Sequence, residues 1–364
     1  LSLAYGQGVR MGEPVGALGG VGMSGVGSRG WLVLFWIRGM FMKAILVNGD
    51  RSLRWDEVPD PVLGEDDCLI QVEAAALNRA DLMQREGDYP PPPGSPEWMG
   101  LEISGTVIGM SPGARRKSKF QIGDQVCALL GGGGYAQYAA VRCDMLMPVP
   151  QNCSMIEAAA MPEAFATAYL NLFLEGGLQP GGTLLMHAGA SGLASVVIPM
   201  AKAFGARVIT TVLTGGIARS IEHLQADRVV VTAREDLSEV LKEELADGHG
   251  VDVAIDCLGG ARWIMIAALA GAKTEIDLKN LYVRNVRIIG STLRSKSPEA
   301  KAGILAELVQ NVWPKVSAGA VRPTIYRVLP ITEAEAAQEI LYRGENVGKV
   351  VLTVGGGSRG RFPA

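Results

Sequence analysis

Metal-ligand spacing is the first thing missing from this chain of 364 residues. The five cysteines, Cys68, Cys127, Cys143, Cys153 and Cys257, include no Cys-x-x-Cys pair. The three histidines, His187, His223 and His249, form no His-Glu-x-x-His cluster. This argues against a cysteine-built zinc site. With an odd cysteine count it also argues against a disulfide framework, and it suits a reducing, cytoplasmic setting. Strong charge of one sign is missing too: the formal net charge is −3, without the basic excess that phosphate-backbone binding needs, so nucleic acid is not an expected partner. The apolar run Trp31–Ile37 is seven residues long, against the roughly 20 that a spanning helix requires, so no membrane association is expected from it. Acids are scarce at the start, where Glu13 is the only one before Met42.

What is present reads as a globular protein. Hydrophobic residues make up 48% and charged residues 20%, enough for a sizeable core, and the length fits about two domains. Residues 1–41 are glycine-rich and set apart as an extension outside the fold, disordered or non-native. Met42 is the expected natural start, and Arg10, Arg29 and Arg38 leave organelle targeting open. The glycine-rich stretch 355–364 is expected to be a tail.

From Met42 to Ile156, short valine-, isoleucine- and alanine-rich segments are punctuated by Gly, Pro and Asp: 43–49, 68–77, 102–110, 124–130 and 135–141. They predict a β-rich domain interrupted by one helix over 80–87. From 157 to 322 the texture changes to apolar strands alternating with helices, which predicts βαβ units and a parallel sheet covered on both faces. Residues 323–354 return to strand–helix–strand and are expected to rejoin the first domain.

The strand 183–190 runs into Gly189-Ala190-Ser191-Gly192-Leu193-Ala194, which opens a helix. The spacing matches G-x-G-x-x-G/A with Ser191 at the middle glycine and Ala194 at the last. Small residues there let a pyrophosphate approach a helix N-terminus, the mark of a dinucleotide site. The next strand ends in Val212-Leu213-Thr214-Gly215-Gly216 with no acid to hold a ribose diol, and Arg219 follows. NADPH is therefore expected in preference to NADH, with Thr214 and Arg219 as contacts to its 2′-phosphate. A solvated surface arginine is the competing reading of Arg219.

Blocks in fixed order carry a family likeness: residues 75–94, 100–107, 122–138, 161–169, 187–192, 256–260, 291–295 and 346–352. Through them the chain resembles the zeta-crystallin-like quinone oxidoreductases, a zinc-free branch of the medium-chain dehydrogenase/reductase superfamily. The resemblance implies an α/β protein: a GroES-like β-rich domain (42–156 and 323–354), a Rossmann doubly wound parallel sheet (157–322) and a cleft between them. It further implies NADPH-dependent, metal-free reduction of a quinone or similar small acceptor, and a homodimer. Enone or enoyl-thioester reduction is the alternative, as is cofactor binding without useful catalysis. Where zinc-dependent members carry cysteine and histidine ligands, this chain has Asn78-Arg79-Ala80-Asp81 and Gly100-Leu101-Glu102, which disfavours alcohol dehydrogenation.

The same likeness places Asn78 and Tyr89 at the catalytic position, where an amide and a phenol would meet the acceptor. Asn78 is equally well placed as an N-cap, with Asp81 three residues on, and Tyr89 could simply pack on the four prolines after it. Thr167, Gly189, Ser191, Gly192, Ala194, Cys257, Asn346 and Lys349 are implied to lie along the cofactor; Ser191 could equally be a helix-start residue, and Asn346 and Lys349 a solvated edge. Two departures stand out. The lysine usual after the second Rossmann strand is absent, Ile217 occupying its place. After Gly260 the chain enters Arg262-Trp263-Ile264 almost at once, so one crossover helix is missing. Parallel neighbours ordinarily need a dozen or more connecting residues, so a hairpin or an expelled strand is expected here.

Overall fold

The computed structural model describes residues 41–246, 250–255, 262–266, 278–283 and 286–355. In chain order its strands are β1 (Phe41–Val47), β2 (Leu53–Pro59), β3 (Asp67–Ala76), β4 (Glu102–Met110), β5 (Gln125–Leu129), β6 (Tyr138–Arg142), β7 (Leu146–Pro148), β8 (Thr183–Met186), β9 (Arg207–Val212), β10 (Arg228–Val231), β11 (Val253–Ile255), β12 (Arg262–Met265), β13 (Arg287–Gly290), β14 (Ile325–Pro330) and β15 (Lys349–Thr353). The helices are α1 (Arg79–Glu86), α2 (Pro112–Lys117), α3 (Met155–Ala159), α4 (Pro162–Tyr169), α5 (Ala194–Ala203), α6 (Gly215–Ser220), α7 (Leu237–Glu244), α8 (Leu278–Val283), α9 (Pro298–Asn311), α10 (Trp313–Ser317) and α11 (Ala334–Arg343).

Two sheets organise them. One is built in the order β14-β15-β3-β4-β5-β7, with β6 also on β3. Here β15 lies antiparallel to β3, so the C-terminal segment completes the sheet begun by the N-terminal one. The β1–β2 hairpin docks beside it through an Ala44–Ala136 bridge. The second sheet runs β10-β9-β8-β11-β12-β13 and is parallel throughout. Its central strand β8 is buried at every position, as a strand with helices on both faces must be. This is the predicted pairing of a GroES-like β domain with a Rossmann sheet. Helix α4 joins the two: Phe165 is fully buried and meets the Trp313 ring edge-on at 6.1 Å, and one apolar cluster runs from Ile103 and Leu129 through Phe165 to Leu184 and Val197.

Local chemistry redrew several predicted boundaries. The helical stretch after Glu157 is interrupted at Pro162, which opens α4, and then loosens into a π-helical turn at Leu170–Glu175. The strand expected over 183–190 stops at Met186. The hairpin or expelled strand expected after Gly260 is not formed. Strands β11 and β12 pair in parallel, Ala254 opposite Trp263 and Ile255 opposite Ile264. Their link, residues 256–261, lies outside the described residues. Two residue pairs are in register, and this parallel pairing departs from the dozen or more residues a crossover ordinarily takes.

Candidate functional site

The end of β8 is shaped by a buried threonine. Thr210 on β9 donates its hydroxyl to the Met186 carbonyl at 2.7 Å, and a methyl on Gly189 would sit 2.4 Å from that hydroxyl oxygen. Only glycine fits this contact. The preceding residue, Ala188, holds φ at +50°, a left-handed conformation that is uncommon for a side-chain-bearing residue and gathers at functional turns. Gly189 N–H donates to Thr211 O at 2.9 Å, the Ser191 hydroxyl accepts from Ala194 N–H at 3.1 Å, and Ala194 begins α5. Ser191 therefore acts as a helix-start residue, the competing reading of that position. The N–H groups of Ala190, Gly192 and Leu193 donate to no group among the described residues. A glycine packed too closely for a Cβ, together with free donors before a helix, fits a pyrophosphate.

At the end of β9, Leu213 is exposed and Thr214 caps α6, its hydroxyl accepting from Ile217 N–H at 3.3 Å. Arg219 lies exposed on the last turn of α6. A second arginine, missed in the sequence, stands at the strand end. A methyl on Gly215 would lie 3.6–3.7 Å from the Arg234 guanidinium, carried on the turn after β10. The folded topology brings it there: β10 neighbours β9, so the turn after β10 flanks residues 213–216.

Across from the β8 turn lies a buried polar centre. Lys349 opens β15 and is 3% exposed; Glu102 opens β4 and is fully buried. The ammonium is 2.7 Å from Glu102 Oε1 and donates to Asn78 Oδ1 at 2.6 Å and Leu77 O at 2.7 Å. Asn78 Nδ2 donates to the same Glu102 oxygen at 3.0 Å. The amide is thus held at both ends, and Asn78 is also the N-cap of α1, its N–H donating to Asp81 Oδ2 at 2.8 Å. Lys349 is no solvated edge residue. Asp81 further accepts from Tyr135 OH at 2.9 Å and Gly100 N–H at 3.1 Å. Burial pushes its carboxyl up to about 6 against the pull of those donors and of Lys349. Glu102 Oε2 accepts from Glu163 N–H at 2.9 Å, and the Glu163 carboxylate accepts from the Thr167 hydroxyl at 3.1 Å. Burial pushes Glu163 up to about 7; the charge of Lys349 opposes this and those of Glu102 and Asp81 add to it.

The two parts meet at Gly192. A methyl there would lie 3.3 Å from Gly348 O and 3.4 Å from Lys349 Cδ, so the β8 turn packs directly on the loop that delivers Lys349. Asn346 supports that loop by donating from its amide to Gly348 O at 2.6 Å. Tyr89 stands apart from the polar centre. Its ring carries the Arg294 guanidinium at 4.6 Å, and its hydroxyl is 3.4 Å from Thr292 Oγ1. Arg294, also missed in the sequence, donates to Gln84 Oε1 and Gly131 O at 2.8 Å and to Tyr89 O at 3.2 Å, tying the segment after β13 to α1 and to loops of the first domain. Cys257 lies outside the described residues. Among the described residues no group of three or more His, Cys, Asp or Glu side chains is placed to hold a metal ion, and no helix is long and apolar enough to cross a membrane.

The same architecture recurs in known proteins. Residues 64–151 match the alcohol dehydrogenase GroES-like domain family, and residues 224–352 match the zinc-binding dehydrogenase family. A quinone oxidoreductase-like protein 2 homolog of Nematostella vectensis is 31% identical over 271 residues, 68% of this chain and 71% of the relative. The chain belongs to the medium-chain dehydrogenase/reductase superfamily, in its quinone-oxidoreductase-like branch. Among solved structures of the superfamily, a mycobacterial protein in complex with NADPH superposes with a TM-score of 0.74 at 25% identity, over 86% of this chain and all of the other. Lovastatin diketide synthase of Aspergillus terreus is 29% identical over 318 residues, 82% of this chain but 12% of the synthase; the chain spans a small part of that relative. In the two stretches where the resemblance implies thiolate or imidazole ligands for zinc-dependent members, this chain carries Asn78 and Gly100.

Proposed function

We propose that this oxidoreductase uses NADPH to reduce quinones or similarly activated small acceptors without a metal. The observation that carries the reading is the contact of Gly192 with Lys349, which sets the dinucleotide turn against the Asn78–Glu102–Lys349 centre. When bound, NADPH supplies a hydride; the protein supplies position and charge. In this reading the free N–H groups of Ala190, Gly192 and Leu193 hold the pyrophosphate. Thr214, Arg219 and Arg234 face the 2′-phosphate, where no acid repels it. Thr167 lies along the nicotinamide. Asn78, fixed by Lys349 and Glu102, directs its remaining amide hydrogen to the acceptor, and Tyr89, fixed under Arg294, faces it from the opposite wall.

Similarity to part of a polyketide synthase favours a second acceptor class, the double bond of an enone or enoyl thioester. NADPH oxidation with para-benzoquinone and with cyclohexenone separates the two. Turnover of the quinone at the higher kcat/KM is expected. Preference for the enone would install the second reading, and no turnover of either with NADPH bound would leave a cofactor-binding protein without catalysis.

A further inference from the structure

We infer that Glu163 is the acid that protonates the acceptor once it has received hydride, a step that rests on the reductase reading above. Hydride addition to a carbonyl-containing acceptor forms a C–H or O–H bond and leaves the electron pair on an oxygen that must gain a proton. In the balanced step the Glu163 O–H bond breaks, its proton joins that oxygen, and the carboxylate is reprotonated from water.

Three carboxyls feel the charge of Lys349, Glu102 alone in contact with it at 2.7 Å, and the geometry selects among them. Asp81 is 1% exposed and committed to Asn78 N–H, Gly100 N–H and Tyr135 OH. Glu102 is fully buried between Lys349, Asn78 and the backbone of Glu163. Neither can reach a ligand. Tyr135, also fully buried, spends its hydroxyl on Asp81. Glu163 alone of these groups is partly open, and α4 holds its carboxyl through Thr167, one turn on. An acid must hold its proton at working pH to deliver it and release it readily. Burial, with the negative charges of Glu102 on β4 and Asp81 on α1, brings Glu163 up to about 7, while Lys349 on β15 and the Thr167 hydroxyl pull it down.

The experiment is a pH profile of kcat/KM for NADPH-dependent reduction of para-benzoquinone and cyclohexenone by the full chain and by Glu163→Gln, Glu163→Asp and Thr167→Val. Carboxyl infrared titration of the cofactor-free proteins accompanies it. The parent is expected to lose activity about tenfold per pH unit above the Glu163 value. Glu163→Gln should remove that limb and the matching infrared transition, while keeping NADPH affinity. Glu163→Asp should restore a limb, and Thr167→Val should move it to higher pH by removing a donor to the carboxylate. An unchanged limb in Glu163→Gln would overturn the assignment and leave the reductase reading standing. Absence of turnover in the parent, with NADPH bound, would overturn both.

Discussion

At the polar centre Glu102, Asp81 and Lys349 are 0%, 1% and 3% exposed and are joined through Asn78. At the end of β9, by contrast, Leu213, Thr214, Arg219 and Arg234 all lie exposed. The first region is over-determined: each charge is buried, so each needs its partner, and one substitution strands the rest. The second is held by little more than a cap and backbone geometry, so its residues can change cheaply. The first arrangement therefore tolerates little change, whereas the second can be rewritten at low cost. Binding of the reacting end and choice of cofactor are, on this account, separable properties.

The comparison breaks most readily at Lys349. Lys349→Met should leave Glu102 buried without its cation and cost about 3–5 kcal/mol, read as a fall in the urea midpoint. Asp81 sharpens it through pH. Its carboxyl ionises near 3.8 when unfolded and at about 6 in the fold. Its stabilising contribution is thus complete below the unfolded value and is lost as pH rises to about 6. Asp81→Asn should abolish that slope, a difference on the order of 2–3 kcal/mol across the window. Next in size, Gly189→Ala sets a methyl against Thr210 and should cost about 1–3 kcal/mol in thermal stability, together with NADPH affinity. Gly192→Ala, with 3.3 Å to its nearest neighbour, should cost less. The smallest effects belong to the exposed end: Arg234→Ala and Arg219→Ala should leave the melting temperature unchanged. Arg234→Ala should weaken NADPH binding roughly tenfold, as loss of one charge-assisted contact does, while NADH affinity holds.

How much of this was legible in sequence follows the same division. The Gly189–Ala194 turn could be read because a tight turn after an apolar strand demands small residues at fixed offsets. The return of 323–354 to the first sheet could be read from its strand–helix–strand texture. Asn78 was readable as a cap because Asp81 stands three residues on. That its side chain bridges Lys349 and Glu102 was not, because those partners lie 271 and 24 residues away. Glu102 and Lys349 did leave a signal, each being a charge at the first position of an otherwise uncharged strand. Arg234 and Arg294 left none, since only the folded topology brings them to Gly215 and Tyr89. The parallel pairing after Gly260 is not legible either, because the crossover rule asks for a dozen or more connecting residues and so points to a hairpin there.

Backbone hydrogen exchange with saturating NADPH and, separately, NADH tests the central claim most directly, because it reports where the cofactor sits without requiring turnover. Both cofactors are expected to protect the peptides spanning 187–194 and 346–349, with NADPH alone adding protection at 213–216 and 232–235. Protection confined to other segments, or none at either cofactor, would contradict the placement of the site where the β8 turn meets Lys349.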